Sequence, residues 1–106
     1  MNNSRVAVVP AGTEWDALVR LVGIAQGDTG QSRRVADFLL AWWNAGSCGG
    51  FDLTNLWAID TAIAADMVAV MGLVATHHNY PDAYGLGPAF ERIVNEWRPE
   101  LVKAKD

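Results

Sequence analysis

The sequence predicts an all-α protein, a compact bundle of about four helices around a central alanine-rich helix. Hydrophobic residues make up 51% of the 106 residues and charged residues 19%, which is typical of a folded chain with a core. Apolar residues recur at helical spacing in four segments. The short apolar run at residues 6–9 has no partner strand in the chain. We therefore expect a flexible arm, extended or disordered, over residues 1–12 and a single helical domain over residues 13–106.

The first helix is predicted to begin at Thr13, a residue type that caps helix N-termini. Trp15 opens its apolar stripe, which continues at helical spacing to Ala25. Gly27 is the predicted C-terminal stop, because glycine readily takes the backbone conformation that ends a helix.

The second helix follows the turn at residues 27–30. Asp28 and Gln31 have the spacing of a capping box, and Gly46 is the predicted end. Its apolar face is unusually bulky and consists of Val35, Phe38, Leu39, Trp42 and Trp43.

The third segment is predicted to begin at a cap formed by Asp52 or Thr54 and to continue as one helix towards Thr76. It has a bulky apolar arc and an arc of small residues, with almost no charge on either. A helix that is apolar all round is typical of a central position, and we expect Trp42 and Trp43 to pack against its small arc.

Asp60 is the exception on this helix, because it falls inside the bulky arc, where an unpaired carboxylate is costly. One explanation is a break near Ile59, which would make Asp60 the N-cap of a second helix starting at Thr61. The other explanation is an arginine reaching Asp60 from a neighbouring helix, and the candidates are Arg20, Arg92 and Arg98.

The fourth helix is predicted to open at Pro88 and to end or kink at Pro99, because proline favours first turns and interrupts helix interiors. The predicted core of the whole bundle consists of Trp15, Phe38, Trp42, Trp57, Ile63, Val70, Phe90 and Trp97. Five tryptophans exceed what a small core hides easily, and we expect Trp43, at the edge of its apolar face, to reach the surface.

The charges are unevenly distributed along the chain. The net charge is −4, yet residues 35–91 contain six acidic residues and no lysine or arginine. Such a chain lacks the basic stripe of a duplex-binding domain. No signal peptide or membrane span is visible, and a lone cysteine forms no internal disulfide, so we expect a cytoplasmic protein without a membrane partner.

Catalytic chemistry has few candidates in this sequence. Cys48 precedes the predicted third helix, where a lowered thiol pKa is conceivable, and His77 or His78 would supply a base. A buried structural thiol is the preferred interpretation of Cys48. One cysteine and two adjacent histidines do not make a zinc site, so we expect no catalytic residue, metal or cofactor.

Several segments of the chain resemble a known family. They are the run QSRRVADFLLAWWNAG at residues 31–46, CGGFDL at residues 48–53, Tyr80-Pro81-Asp82, Phe90-Glu91 and Trp97-Arg98-Pro99. They resemble an uncharacterised family of small proteins carried on integrative elements and plasmids of proteobacteria. The resemblance extends from the first helix to Leu101 and supplies no catalytic residues. It implies a bacterial, cytoplasmic accessory protein of a mobile element.

These observations favour a non-enzymatic module that binds and modulates a protein machine of the host or of the mobile element. One form of such modulation is inhibition of a host defence system. An acidic rim around an exposed tryptophan would attract a basic partner surface. The expected partner-binding residues are Arg33, Arg34, Asp37, Trp43, Asp52 and Asp82. The alternatives are a nucleic-acid binder that uses Arg33 and Arg34 and, third, a small enzyme that uses Cys48 or Asp60. The sequence does not determine the oligomeric state, and a homodimer is compatible with it.

Overall fold

The computed structural model describes residues 12–103, and these residues form an all-α bundle, as the sequence predicts. The α-helices are α1 (Thr13–Ala25), α2 (Gly30–Cys48), α3 (Thr61–His77), α4 (Gly87–Trp97) and α5 (Pro99–Lys103), with 3-10 helices at Leu53–Ala58 and Pro81–Tyr84. Residues 12–103 contain no β-strand. The predicted arm lies, apart from Gly12, outside the described residues. No helix in the described part of the chain is both long and apolar enough to span a membrane.

The first two helices begin one residue away from their predicted caps. Gly12, at a φ of 84°, precedes α1, and Thr13 is its first helical residue. In α2 the cap is Thr29 rather than Asp28, and the Thr29 hydroxyl accepts a hydrogen bond from the Ser32 N–H at 3.0 Å. The hydroxyl satisfies an N–H group that the helix itself leaves unpaired.

The end of α2 also differs from the prediction. The helix is interrupted at Asn44, whose backbone is extended (φ −163°, ψ 76°), and a last turn then continues past Gly46 to Cys48. The Asn44 side chain accepts a hydrogen bond from the Ser47 N–H at 3.2 Å and so caps this turn.

The predicted third helix is broken in two. Leu53–Ala58 forms a 3-10 helix, Ile59 is extended, and α3 begins at Thr61. Gln31 of α2 stabilises the break, because its side-chain oxygen accepts from the Asp60 N–H at 2.7 Å and its nitrogen donates to the Asp60 carboxylate at 3.3 Å. Of the two explanations for Asp60, the break is therefore correct.

The three arginines considered for Asp60 bind other groups. Their hydrogen-bond partners are Asp66 for Arg20, Gln26 for Arg92, and Asp37 for Arg98.

The packing of the tryptophans differs from the expected pairing with α3. Trp42 and Trp43 pack edge-on against Phe90 of α4, with ring centroids 6.2 and 5.6 Å away. Helix α3 packs chiefly on α1 instead. Part of its small-residue arc is covered in this way, since Ala69 packs against the core and Gly72 lies beside Glu14 of α1.

Most of the predicted core is found in or against the core. Phe38, Val70 and Phe90 are buried, and the residues packed against them while partly exposed are Trp15, Trp42, Ile63 and Trp97. Trp57 is the error, since 84% of its surface is exposed. The prediction placed Trp57 on a continuous α-helix. The residue lies instead in a 3-10 helix, which has about three residues per turn, and the break at Ile59 separates it from α3. Its side chain is therefore not in line with the apolar arc of α3.

Two side chains attach the end of α4 to the rest of the bundle. The Trp97 ring N–H donates to the carbonyl of Ala25 at 2.8 Å, and the Arg98 guanidinium donates to the Asp37 carboxylate at 2.8 Å and to the Cys48 carbonyl at 2.9 Å. Pro88 lies in the first turn of α4 and Pro99 begins α5, as proline's fixed φ favours.

Candidate interaction surface

The most exposed large hydrophobic side chain of the described residues is Trp57, at 84%. It lies in the 3-10 helix Leu53–Ala58, in which Leu53 is also 63% exposed. An exposed Asp52 precedes this helix and an exposed Asp60 follows Ile59. The exposed indole of Trp57 therefore lies on a short helix that is flanked by the carboxylates of Asp52 and Asp60.

Asp52 fixes the start of the 3-10 helix. One carboxylate oxygen accepts from the Thr54 N–H at 2.9 Å and from the Thr54 hydroxyl at 2.8 Å. These two hydrogen bonds lower the pKa of Asp52 below its usual value, because they favour the charged form. The bond from the Thr54 backbone N–H has the larger effect. Asp52 is therefore negatively charged at neutral pH.

Two side chains of α2 attach the rest of this segment to the bundle. Arg34 donates a hydrogen bond to the side-chain oxygen of Asn55, and Gln31 makes the paired bonds to Asp60. The segment is thus held by polar contacts on both sides of Trp57, at Asn55 and at Asp60.

The other tryptophans are placed differently. The ring N–H groups of Trp42, Trp43 and Trp97 donate to Asn79, Asp82 and Ala25, respectively. Trp15 packs edge-on against Tyr84, with ring centroids 6.2 Å apart. All four are partly buried against the core. Because each has internal contacts, Trp57 is the tryptophan available to a partner.

An apolar groove lies between α2 and α3. Its volume is about 350 Å³, and it is lined by Phe38, Ala41, Trp42, Phe51, Leu53, Met71, Val74 and Ala75. None of these residues carries a charge. The groove reaches the 3-10 helix that carries Trp57, because Leu53, the first residue of that helix, is part of the groove lining.

The six predicted partner-binding residues make different contacts in the structure. Asp37 is paired with Arg98 at the end of α4, and Trp43 donates its ring N–H to Asp82 at 2.7 Å. Trp43 is half-buried by this contact and reaches the surface only in part. Arg33 is exposed on α2. Arg34 and Asp52 meet at the same segment, because Arg34 binds Asn55 of the 3-10 helix that Asp52 caps.

Sequence reasoning missed Trp57 as the exposed tryptophan, although a signal was present. Asp60 did not fit a continuous helix, and a break at that point removes the argument that places Trp57 in the core. The flanking acids Asp52 and Asp60 were already visible as possible helix caps.

Cys48 lies at the C-terminal end of α2, not at a helix N-terminus as the sequence suggested. The thiol is buried, and burial raises its pKa above the usual value, an effect that nearby Arg98 only partly offsets. It borders a groove of about 490 Å³ between α2 and the α4–α5 end of the chain. This environment disfavours the thiolate that nucleophilic chemistry requires.

The histidines occupy the end of α3. His77 shares a hydrogen bond with the Thr76 hydroxyl at 2.8 Å, and His78 takes a left-handed conformation (φ 44°) that ends the helix. Within residues 12–103 no three His, Cys, Asp or Glu side chains are grouped closely enough to hold a metal ion.

Comparison with known proteins identifies the family. Residues 15–98 match the family described as a family of unknown function, DUF7673. The match covers most of the chain, and the chain therefore belongs to this family. No curated protein and no solved structure matches it.

Proposed function

We propose that this member of the DUF7673 family is a non-enzymatic protein-binding module whose partner presents a basic contact surface. The observation that carries the proposal is the exposure of Trp57, at 84%, on a helix bounded by Asp52 and Asp60. Covering a side chain of this size with a partner removes a large apolar area from water.

A tryptophan with this exposure is a suitable anchor for a protein interface. Tryptophan is enriched among the residues that dominate binding energy, where it fills a pocket on the partner and neighbouring groups exclude water. The polar attachments through Gln31 and Arg34 hold the segment before binding, which reduces the ordering cost of complex formation.

The surrounding charge indicates the chemistry of the partner. Asp52 is kept ionised by its hydrogen bonds, and residues 35–91 contain six acids and no lysine or arginine. Arg34, which binds the neutral side chain of Asn55, keeps its positive charge at this segment, and the two carboxylates of Asp52 and Asp60 exceed it by one charge. Negative potential around the indole steers a positively charged surface towards it and repels phosphate groups.

The proposed setting is the bacterial cytoplasm, where the module binds and inhibits a protein machine of the host or of a mobile element. Support for this part comes from the resemblance to small proteins of proteobacterial integrative elements and plasmids. Anti-defence inhibition is the form of this function that such a cargo protein would have.

The proposal is tested by capture with a matched pair of variants. The immobilised full chain and its Trp57→Ala and Tyr80→Ala variants are exposed to a proteobacterial lysate, and bound proteins are quantified by mass spectrometry. Tyr80 is the control, because it is also a large exposed aromatic residue, at 64%, and lies before the second 3-10 helix.

We expect the parent chain and the Tyr80→Ala variant to retain at least one protein in similar amounts. The amount of that protein bound by the Trp57→Ala variant should be at least tenfold lower. Its retention should weaken with salt, because screening reduces charge attraction. Equal capture by all three forms, or loss with both variants, would contradict the assignment to Trp57. Circular dichroism confirms that each variant is folded.

A further inference from the structure

The groove between the end of α2 and the α4–α5 end of the chain combines apolar walls with several polar side chains. Its volume, about 490 Å³, is in the range of small-molecule sites in proteins. The lining contains one carboxylate, two side-chain amides, a hydroxyl and the Cys48 thiol, and the remainder is hydrophobic. This groove is called the α2–α4 groove below.

Helix α4 contributes the carboxylate and one of the amides. Glu91, Val94 and Asn95 line the groove and have the three- and four-residue spacing that places side chains on one face of a helix. Glu91 and Asn95 are both exposed, and neither side chain has a hydrogen-bond or ion-pair partner among the described side chains of the protein. Two neighbouring oxygen acceptors on α4 are therefore free to bind a ligand.

The last turn of α2 contributes the hydroxyl on the opposite side of the groove. The break at Asn44 sets this turn apart, and the Asn44 side-chain oxygen accepts from the backbone N–H of Ser47. The Ser47 hydroxyl itself is exposed and lines the groove. Together with α4, the turn gives the α2–α4 groove three side chains with oxygen acceptors.

The groove is electrostatically negative. Its lining contains Glu91 and no lysine or arginine. Arg98, two turns after Glu91 on the α4 side, is paired with Asp37. The pKa of the Cys48 thiol is raised first by burial and further by the nearby carboxylate of Glu100, which places a second acid beside the groove. Such a groove attracts a cation and repels an anion.

The hydrophobic part of the lining is held in place by the bundle. Trp43 donates its ring N–H to Asp82 at 2.7 Å and packs edge-on against Phe90, with ring centroids 5.6 Å apart. Its indole is thus a fixed wall of the groove. On the α5 side the wall is aliphatic and includes Val102, which is 40% exposed. A ligand that covers this wall removes apolar surface from water.

We propose that the α2–α4 groove binds a small organic cation, a primary ammonium group on an apolar chain or ring. An ammonium group has three donors and no acceptor, which suits the side-chain oxygens of Glu91, Asn95 and Ser47. The bond to the carboxylate is charge-assisted and is therefore the strongest of them. The apolar body of the ligand lies against Trp43 and Val102.

Other ligand classes fit the lining less well. An anion would meet the Glu91 carboxylate without a lining cation to offset it. A neutral apolar molecule would take Glu91 and Asn95 out of water without replacing their hydrogen bonds, which is costly. The charge and the acceptors of the groove therefore select for the ammonium group, and the hydrophobic wall selects for the body that carries it.

Three probes with the same apolar body test the proposal: 3-phenylpropylamine, 3-phenylpropanol and 3-phenylpropionate. Each is titrated to about 20 mM into the isotope-labelled full chain at neutral pH, and nuclear magnetic resonance follows the side-chain amide of Asn95 and the ring N–H of Trp43. We expect saturation by the amine with a dissociation constant on the order of a millimolar, the scale for a ligand of about ten non-hydrogen atoms. The alcohol should bind at least about fivefold more weakly, and the carboxylate should not saturate.

Glu91→Gln keeps the shape of the side chain and removes its charge. The variant should bind the amine at least about fivefold more weakly than the parent, with an affinity close to that of the alcohol. Glu96→Gln is the matched control, because it removes the same charge from exposed Glu96 of α4, which is not part of the groove lining. Its affinity for the amine should stay within about twofold of the parent, since a distant exposed charge is screened.

Absence of saturation by the amine would overturn the proposal. Equal affinity for the amine and the alcohol, or an equal loss of amine binding in Glu91→Gln and Glu96→Gln, would also overturn it, because the Glu91 carboxylate would then not select the ligand. The inference goes beyond the proposed function and is independent of it, since none of these measurements depends on Trp57 or on a protein partner.

Discussion

The tryptophan side chains differ in whether the bundle buries their rings and pairs their ring N–H groups. The indoles of Trp42, Trp43 and Trp97 each combine core contact with a hydrogen bond from the ring N–H. Such pairing is what a partly buried indole requires, since its N–H is costly to bury alone. Trp57 is largely left in solvent, and the free energy of covering it remains available to a partner.

Cys48 shows the reverse case, a potentially reactive group that its surroundings make inert. Burial raises the pKa of the thiol, so the folded state favours the protonated form. This preference contributes stability that is fully present below the thiol pKa of the unfolded chain, and it is lost as pH rises through the higher folded value.

We therefore expect iodoacetamide to modify Cys48 at pH 8 at least tenfold more slowly than it modifies an exposed thiol. The matched control is the double variant Ser47→Cys with Cys48→Ser, which moves the thiol by one position to an exposed residue. Cys48→Ser alone should keep the fold and the captured partner. Fast modification of Cys48 in the folded protein, or loss of capture by a folded Cys48→Ser variant, would instead support a catalytic thiol.

At the scale of elements, Arg98 adds polar contacts between the end of α4 and α2 to the aromatic packing at Phe90. Arg98 pairs with Asp37 and also donates to the carbonyl at the end of α2, and about four-fifths of both charged side chains is shielded from solvent. A buried carbonyl and a carboxylate thus depend on one guanidinium group. Hydrogen bonds to charged groups are worth more than neutral ones when they are shielded in this way.

Arg98→Ala should lower the free energy of unfolding by about 1–3 kcal/mol, because it leaves Asp37 partly buried without its ion-pair partner. Arg92→Ala is the control, since exposed Arg92 bonds to exposed Gln26, and it should change stability by no more than about 0.5 kcal/mol. Urea unfolding followed by circular dichroism measures both. Equal effects of the two variants would show that the Arg98 contacts do not stabilise the α2–α4 junction.

The elements themselves were largely predictable, because helical periodicity and proline positions act over a few neighbouring residues. Pro88 and Pro99 marked the limits of α4 closely. The break before α3 was visible only as one of two alternatives for Asp60. What decides it is the side chain of Gln31, 29 positions earlier in the chain, and sequence periodicity contains no information about such a contact.

At the scale of the whole molecule, the pairing of helices was less predictable than their existence. An uncharged α3 is compatible with a central position, but it is equally compatible with an open face. The chain packs α3 on α1 and directs Trp42 and Trp43 to Phe90. The same holds for Asp37, a predicted partner residue, whose charge is used in a contact with Arg98 at the end of α4.

The charge map argues against nucleic acid as the partner. Of the two arginines considered for phosphate binding, Arg34 donates to Asn55, and only Arg33 is exposed on α2. Arg98, a third cation, is committed to Asp37. Counterion release from one or two phosphate contacts gives little affinity and a shallow salt dependence, and a net charge of −4 opposes binding further.

A gel-shift titration with duplex and single-stranded DNA at about 150 mM salt should consequently show no complex at micromolar protein, where specific DNA-binding domains are saturated. The double variant Arg33→Ala with Arg34→Ala should behave identically, since neither side chain is expected to contribute phosphate contacts of any strength. A submicromolar complex that this double variant abolishes would make these arginines the binding site. The proposed protein partner at Trp57 would then give way to a nucleic-acid function, because the acidic surface around the indole would not govern the interaction.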